Sequence, residues 1–332
     1  MKLARVLVSA LAIVDIAPAG AQQPPRPETT VPPPLADHHQ HLFSPAVAAL
    51  ISPAPPAPPL SPITSSELIP LLDAAGVKRA AVLSVAYIFG QPTRNVENEY
   101  EKVRAENDWT SQQVALFPDR LRGFCGLNPL KDYALAELAR CAKDANLHYG
   151  LKLHFGNSAV DYHNAQHTEQ LRRVFHAAND YRMPIVIHMR ASISQKIAYG
   201  RDEARIFLND ILPAAPDVAV QIAHLAGAGG YADPLVDQAL AVFVEAIEKN
   251  DPRTMQLWFD VTAVALPDAP AEQGVLIARR IRQLGVQRIL YGSDAASGGN
   301  LAPREGWAAF RKLPLSESEF RTIATNVPPY MR

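Results

Sequence analysis

The 332-residue sequence contains only two cysteines, almost no net charge and no internal repeat. Its 32 Lys and Arg residues are balanced by 33 Asp and Glu residues, which excludes a strongly basic nucleic-acid binder and an acidic disordered chain. After the first 21 residues, no stretch has the roughly 20 uncharged apolar residues needed to cross a bilayer. Hydrophobic residues make up 48% of the chain, which indicates a soluble globular protein with a sizeable core.

The two cysteines, Cys125 and Cys141, have no neighbours at a metal-ligand spacing, so the sequence indicates no cysteine-based metal site. Cys125 lies in a predicted strand and Cys141 in the following predicted helix, where a small apolar thiol packs well. An oxidising compartment would allow a disulfide between them. We expect buried free thiols in preference to that disulfide.

The front of the chain is unusually rich in proline. Met1–Arg5 carries two positive charges, Val6–Val14 is an apolar run, and Ala19–Ala21 is a small-residue cleavage site. This order predicts a secretory signal peptide over residues 1–21, followed by a flexible lead-in over residues 22–34. We therefore expect an exported, periplasmic protein that has no membrane attachment once the signal is removed.

From residue 35 to residue 332, apolar runs typical of buried parallel strands alternate with helical patterns. The predicted strands are Leu35–Phe43, Arg79–Ala86, Gly123–Leu127, Gly150–Phe155, Pro184–Met189, Val218–Leu225, Gln256–Thr262 and Arg288–Gly292. Eight strand–helix units in about 300 residues predict a single α/β domain, a (β/α)8 TIM barrel. An open doubly wound sheet is the alternative, but the glycine-rich turn typical of its first strand is missing.

Polar side chains stand at the ends of several strands, where a barrel builds its active site. They are His39 and His41 in the first strand, His188 in the fifth, His224 in the sixth and Asp294 after the eighth. Taken singly, the pair His39 and His41 has an ordinary explanation as surface histidines. His188 and His224 have one as satisfied core residues, and Asp294 has one as a helix cap. Taken together, they predict a site for a divalent metal ion.

The order H-x-H, His, His, Asp resembles the amidohydrolase superfamily. The segments Asp37–His41, Ile185–His188, Ile222–Gly227 and Leu290–Asp294 are most similar to its amidohydrolase-related branch, which includes aminocarboxymuconate-semialdehyde decarboxylase. The resemblance implies that a metal ion, commonly zinc, is held by His39, His41, His188 and Asp294. It also implies that His224 is either a proton-transfer residue or a ligand to a second ion.

The fourth strand adds Lys152 and His154, which lie on one face of the strand. In binuclear amidohydrolases a fourth-strand lysine in a similar context is carbamylated and bridges two ions. The resemblance therefore leaves one or two ions open, with Lys152 as a ligand only in the binuclear case. The alternative is a buried lysine cation paired with Asp37 or Asp260.

Three residues are predicted to bind the substrate: Tyr87, His154 and Arg190. The Arg190 guanidinium would recognise a substrate carboxylate, although a solvated surface arginine is an equal alternative. Asp260 in the seventh strand is a candidate to orient a metal-binding histidine. The partner is therefore expected to be a small molecule, with a carboxylate as one option, and a homo-oligomer is left open.

The expected function is metal-dependent hydrolysis, in which a metal-activated water attacks an amide, ester or lactone carbonyl. Asp294 would bind the ion and accept the water proton, and either the metal or His224 would stabilise the oxyanion. The alternative is a metal-dependent, non-oxidative decarboxylase of a small aromatic or enoic acid, which the resemblance favours and export disfavours. A basic stripe with interleaved aromatic residues is missing, so no nucleic-acid partner is expected.

Overall fold

The computed structural model describes residues 31–296 and 300–332, and its eight strands form one parallel sheet in chain order. The strands are β1 (Ala36–Gln40), β2 (Arg79–Leu83), β3 (Leu121–Gly126), β4 (Leu151–His154), β5 (Ile185–His188), β6 (Val220–Ile222), β7 (Leu257–Asp260) and β8 (Ile289–Leu290). The predicted signal peptide and residues 22–30 of the predicted lead-in lie outside the described residues.

Backbone hydrogen bonds between the first and last strands close this sheet into a barrel. The His38 N–H donates to the carbonyl of Tyr291 (2.9 Å), and the Asp294 N–H donates to the carbonyl of His39 (2.8 Å). Each strand pairs in parallel with the next, from β1 to β8. The predicted (β/α)8 barrel is therefore confirmed.

Helices connect the strands and cover the outside of the barrel. They are α1 (Pro45–Ile51), α2 (Ser65–Ala75), α3 (Glu99–Ala115), α4 (Ala134–Cys141), α5 (Ala165–Asp180), α6 (Arg201–Ile206), α7 (Pro234–Glu248), α8 (Ala271–Leu284), α9 (Pro303–Phe310) and α10 (Glu317–Thr325). The sequence explains both ends of α2: Glu67 accepts a hydrogen bond from the Thr64 N–H (2.7 Å), and Gly76 ends the helix at a φ of +71°. Among the described helices, none combines the length and the apolar character of a membrane span.

The amino-terminal end of the barrel interior is apolar and closed by the segment that follows α10. A buried cluster here contains Phe124, Val186 and Met331. Arg79 donates from Nη1 to the Met331 carbonyl (2.9 Å), which fixes the segment under the strands. The ring of Tyr330 packs edge-on against Phe124, with the ring centroids 5.6 Å apart. This closure leaves the carboxyl-terminal end of the strands as the end available for a site.

Cys125 in β3 and Cys141 in α4 form a disulfide, so the expectation of buried free thiols is wrong. The two Cα atoms lie 6.0 Å apart because α4 packs directly on β3. The buried amide of Asn107 helps to hold the two elements together. It donates to Glu137 Oε1 (2.7 Å) and accepts from the Gly126 N–H (3.0 Å).

Candidate metal centre

Eight of the nine side chains predicted to form the site lie in one cavity at the carboxyl-terminal end of the barrel. The cavity has a volume of about 270 Å³. It is lined by His39, His41, Tyr87, Lys152, His154, His188, His224, Ala228, Ala263, Asp294 and Asn300. Residues from strands or loops far apart in the sequence meet here because the strands are parallel and all end at the same face.

His39 is held between a carboxylate and an amine. Its Nδ1 lies 3.1 Å from Asp260 Oδ2, and its Nε2 lies 3.1 Å from Lys152 Nζ. An ionised carboxylate only accepts hydrogen bonds, so the ring hydrogen of neutral His39 is on Nδ1 and the lone pair is on Nε2. The expected contact between Asp260 and a site histidine is therefore present. It puts the lone pair of His39 on Nε2, which accepts from Lys152 in this structure and is the atom that would bind a metal ion.

His41 and His224 show the same arrangement with backbone carbonyls. Nδ1 of His41 donates to the Leu83 carbonyl (2.6 Å), and Nδ1 of His224 donates to the Thr262 carbonyl (2.9 Å). With Nδ1 protonated in each neutral ring, Nε2 carries the lone pair. His41 Nε2 lies 3.7 Å from Asp294 Oδ1.

These donors fit a divalent transition metal. Ligand atoms of His39, His224 and Asp294 all lie within 4.8 Å of one another, and His41 is close to the same carboxylate. Burial lowers the pKa of His39 to about 4 and lowers the pKa of His41 well below its ordinary value, so both rings are neutral at pH 7. Neutral imidazoles with their Nδ1 hydrogens already bonded, beside a carboxylate, are a typical metal-binding set.

The resemblance implies that His188 is a metal ligand and leaves the role of His224 open. In the structure, His224 belongs with His39 and Asp294 to the group of ligand atoms that lie within 4.8 Å of one another. The ring of His188 stacks on that of His154, with centroids 3.9 Å apart, and lies 5.1 Å from the ring of His224. The assignment of His188 as a ligand thus stays a prediction.

Tyr87 and His154 offer hydrogen-bond donors to the cavity. His154 Nδ1 accepts from the Asn157 N–H (3.1 Å), so the neutral ring carries its hydrogen on Nε2. Burial, with a smaller effect of Asp294, raises the pKa of Tyr87 well above its ordinary value, so the hydroxyl stays protonated. The two rings lie 5.1 Å apart. No other described residue forms a hydrogen bond with the Tyr87 hydroxyl, which is therefore available to a ligand.

Lys152 is fully buried beside the candidate metal ligands. Burial lowers its pKa to about 8, while Asp294 and Asp260 act in the opposite direction. Its ammonium group makes its closest polar contact with His39, and the expected partner Asp37 instead accepts from Gln40 Nε2 (2.8 Å). Carbamylation of Lys152 stays a prediction.

Arg190 is the one predicted site residue that does not line the cavity. Its Nη2 forms an ion pair with Asp233 Oδ2 (3.0 Å), and its guanidinium lies 4.6 Å from the centroid of the Tyr199 ring. Only 7% of Arg190 is exposed, so the alternative of a solvated surface arginine is wrong. Tyr199 donates to the Ala226 carbonyl, and the network ties the end of β5 to the loop after β6. Binding of a substrate carboxylate by Arg190 stays a prediction.

The backbone is strained where β6, β7 and β8 reach the cavity. Positive φ angles occur at His224 (54°), Leu225 (47°), Ala226 (68°), Ala263 (52°) and Asp294 (53°). A non-glycine residue in this region costs about 1–3 kcal/mol and persists only where its surroundings hold it. Here the His224 N–H donates to Asp260 Oδ1 (2.8 Å), and the Gly230 N–H donates to the Ala263 carbonyl (2.7 Å). Strain of this kind clusters at functional sites, and here it is concentrated on one rim of the cavity.

Two polar residues of the site were missed in the sequence. Asn300 donates from Nδ2 to Asp294 Oδ2 (3.0 Å), but nothing in its surroundings in the sequence distinguishes it from any loop asparagine. Gln221 donates from Nε2 to Asp260 Oδ2 (2.7 Å). An amide inside the apolar strand β6 was a usable signal, because a buried amide requires partners.

The sequence profile of the amidohydrolase family matches residues 36–326, which is most of the chain and includes every donor of the cavity. The chain belongs to the amidohydrolase family. A search of curated proteins finds no matching relative of this amidohydrolase.

Solved structures with this amidohydrolase fold include two decarboxylases. One is 5-carboxyvanillate decarboxylase from Sphingomonas paucimobilis (17% identity, 88% of this chain and 96% of that chain covered, TM-score 0.60). Another is a dihydroxybenzoic acid decarboxylase from Polaromonas sp. with bound manganese and the inhibitor 2-nitroresorcinol (17% identity, 88% and 94% covered, TM-score 0.58).

A probable 2-pyrone-4,6-dicarboxylic acid hydrolase from Acinetobacter baumannii, with citric acid bound, is also similar (18% identity, 87% and 95% covered, TM-score 0.54). At these identities the similarity concerns the fold. Both carbon–carbon cleavage and hydrolysis are therefore represented among proteins that share the architecture of this amidohydrolase.

Proposed function

We propose that this amidohydrolase is a metal-dependent, non-oxidative decarboxylase of a small aromatic or enoic acid. The observation that carries the proposal is that one cavity combines metal donors with neutral hydrogen-bond donors suited to a carboxylate. The decarboxylases among the similar structures support the same choice. We therefore propose decarboxylation in preference to the hydrolysis expected from the sequence.

The proposed metal ligands are His39, His41 and Asp294, with His188 as a further candidate. When bound, a divalent ion, zinc or manganese, would withdraw electron density from the substrate oxygens. The cavity also holds the Lys152 cation close to Asp260 and Asp294. The negative charges of Asp260 and Asp294 are outweighed by the positive charges of Lys152 and a divalent ion. The sum is one net positive charge, which suits an anionic substrate.

Tyr87 and His154 bind the substrate in this proposal. The protonated hydroxyl of Tyr87 and the Nε2–H of His154 donate to carboxylate oxygens, which are acceptors only. Asn300 fixes one oxygen of Asp294, so that the carboxylate keeps its orientation during turnover. These contacts orient the scissile carbon–carbon bond before it breaks.

His224 supplies the proton. The bond between the substrate carbon and its carboxyl group breaks, carbon dioxide leaves, and the electron pair stays on the carbon. His224 Nε2, which carries a lone pair in the neutral ring, takes up a proton from solvent and passes it to this carbon to form the new C–H bond. The Nδ1–H stays bonded to the Thr262 carbonyl throughout. Overall, one carboxylate group and one proton are converted into one molecule of carbon dioxide and one C–H bond.

The test uses carboxyl-13C-labelled aromatic and enoic acids with metal-loaded protein in D2O. We expect labelled carbon dioxide and one deuterium in the product. We also expect His224→Ala to lose roughly 10²–10⁴-fold in rate while it keeps the metal. The control is His176→Ala on the surface of α5, where the histidine pairs with Asp180 and lies outside the cavity. Loss of the metal in His224→Ala would instead make His224 a ligand.

Hydrolysis is the second candidate. It is favoured by the similarity to a probable 2-pyrone-4,6-dicarboxylic acid hydrolase. It is also favoured by the Asp294 carboxylate, which lies beside the histidine donors and could accept a proton from water. Turnover of lactones or esters in H218O, with label in the product acid and no carbon dioxide from any acid, would place hydrolysis first.

We also propose that the protein is exported to the periplasm. The charge, apolar run and small residues over residues 1–21 support this, as does the Cys125–Cys141 disulfide, because disulfides persist in oxidising compartments. Cell fractionation combined with the mass of the mature N-terminus tests it. A cytosolic protein that retains Met1 would contradict export.

A further inference from the structure

A chain of hydrogen bonds connects the metal-binding side chain of His39 with the closed end of the barrel. His39 Nδ1 lies 3.1 Å from Asp260 Oδ2, and Gln221 Nε2 lies 2.7 Å from the same oxygen. The Tyr330 hydroxyl lies 2.6 Å from Gln221 Oε1. Asp260, Gln221 and His39 each have an exposure of 1% or less, so water does not replace these contacts.

The chemistry of the groups fixes the direction of every bond in this chain. Gln221 Nε2 donates to Asp260 Oδ2 and to the His38 carbonyl (3.2 Å), and both partners are acceptors only. The amide must therefore turn its oxygen the other way, toward Tyr330. An amide oxygen only accepts, so the Tyr330 hydroxyl is the donor.

We propose that Tyr330 is a positioning residue for the metal centre, acting through Gln221 and Asp260 on His39. The inference rests on the proposed role of His39 as a metal ligand. The hydroxyl of Tyr330 holds the Gln221 amide in the one orientation that presents N–H groups to Asp260. Asp260 then accepts from His39 Nδ1, which keeps the Nε2 lone pair directed into the cavity.

Loss of the Tyr330 hydroxyl acts on His39 without a large change in packing. It leaves Gln221 Oε1 buried without a donor and removes one of the three bonds that hold the amide, the other two being those to Asp260 and the His38 carbonyl. A rotated amide places its oxygen against the Asp260 carboxylate, which is an acceptor–acceptor contact. In Tyr330→Phe the ring still packs on Phe124, and the Met331 carbonyl still accepts from Arg79.

The experiment compares Tyr330→Phe with the matched control Tyr231→Phe. Tyr231 is also buried, and its hydroxyl donates to Asp237 (3.1 Å), outside the chain that leads to His39. The readouts are Zn2+ affinity by competition with a chromophoric chelator, and the 15N chemical shifts of the His39 ring in metal-free protein. Replacing a group that supports a metal ligand typically costs roughly 10–100-fold in affinity. Tyr330 acts on His39 through two intervening residues, so we expect Tyr330→Phe to lose about 3–30-fold in Zn2+ affinity. The Zn2+ affinity of the control should stay within about twofold.

A double-mutant cycle separates positioning from general destabilisation. In a Gln221→Leu background, Tyr330→Phe should cause no further loss of Zn2+ affinity, because its route to His39 is already cut. Additive losses, or unchanged affinity with a lower free energy of unfolding, would overturn the proposal.

The 15N shifts keep this test separate from the proposed function. If the unmodified protein binds no Zn2+, the metal assignment fails, and the positioning proposal is decided by the His39 tautomer alone. A Tyr330→Phe spectrum with the hydrogen still wholly on Nδ1 would then overturn it.

Discussion

The two ends of the barrel interior differ in chemistry although the same eight strands form both. At the amino-terminal end, Phe124, Val186 and Met331 form an apolar cluster. At the carboxyl-terminal end, imidazoles, an amine and a carboxylate surround a cavity, and the backbone of His224 and Asp294 is strained. The comparison shows how one barrel separates stability from chemistry, because apolar burial stabilises the closed end and the open end holds groups that are costly to bury.

The largest effect is expected from Asp294→Asn at the carboxyl-terminal end. An amide binds a divalent ion less strongly than a carboxylate, so we expect a loss of at least about 10³-fold in kcat/KM, equivalent to about 4 kcal/mol. Asparagine tolerates the left-handed backbone of this position, so the fold should be retained. Metal analysis and thermal unfolding of the metal-free variant provide the check. Full activity would contradict a metal-dependent site here.

Glu106 in α3 is a buried acid outside the barrel interior, and it can be compared with Asp294 in the cavity. Burial raises its pKa from 4.5 to about 7, while the Ser44 hydroxyl donates to it and lowers the pKa in part. Between these pH values the folded protein binds more protons than the unfolded chain, so the free energy of unfolding falls as the pH rises from about 4.5 to 7.

The variant Glu106→Gln lacks this titration. Its free energy of unfolding relative to the unmodified protein should therefore increase by about 3 kcal/mol between pH 4 and pH 8. Denaturant unfolding at several pH values measures the difference. A difference that does not change with pH would show that Glu106 is not held as a buried acid.

Chelation should lower the stability of the native state by removing the ion bound at the carboxyl-terminal end. A ligand present at 100 times its Kd stabilises the native state by about 2.7 kcal/mol, and this contribution is lost when EDTA removes the metal. The Tm should recover when zinc or manganese is added back. In Asp294→Asn the same treatment should change the Tm little, and an equal response in both proteins would place the metal elsewhere.

The smallest effect is expected from Val186→Ala at the amino-terminal end. Removal of two buried methyl groups should lower the free energy of unfolding by about 2 kcal/mol, through lost burial and the cavity left behind. The Zn2+ affinity of the folded protein should stay within about twofold. A large loss of affinity would show that the two ends are coupled at this strand.

The barrel and most of its polar rim could be predicted because histidines that end apolar strands stand out against the residues a core prefers. His188 after Ile185–Ile187 is an example. Contacts between distant loops could not be predicted in this way. The partner of Arg190 is Asp233, 43 residues further along the chain, and no local pattern connects them.

The disulfide shows a different limit of the sequence. Cys125 and Cys141 are separated by 16 positions, a spacing compatible with many distances in space. Only the packing of α4 on β3 brings their Cα atoms within bonding range. The strain at His224 is likewise invisible in the sequence, because no glycine marks the three consecutive left-handed residues.

The disulfide also affects how metal stoichiometry should be measured. Ligand atoms of Cys125, Glu137 and Cys141 lie within 4.8 Å of one another, and while the sulfurs are bonded together they offer no thiolate. Reduction turns the same atoms into two thiols beside a carboxylate, a set that binds zinc. Protein prepared in a reducing cytosol can therefore carry an ion between β3 and α4. A count of two ions per chain is evidence for a binuclear barrel only when the sample is oxidised.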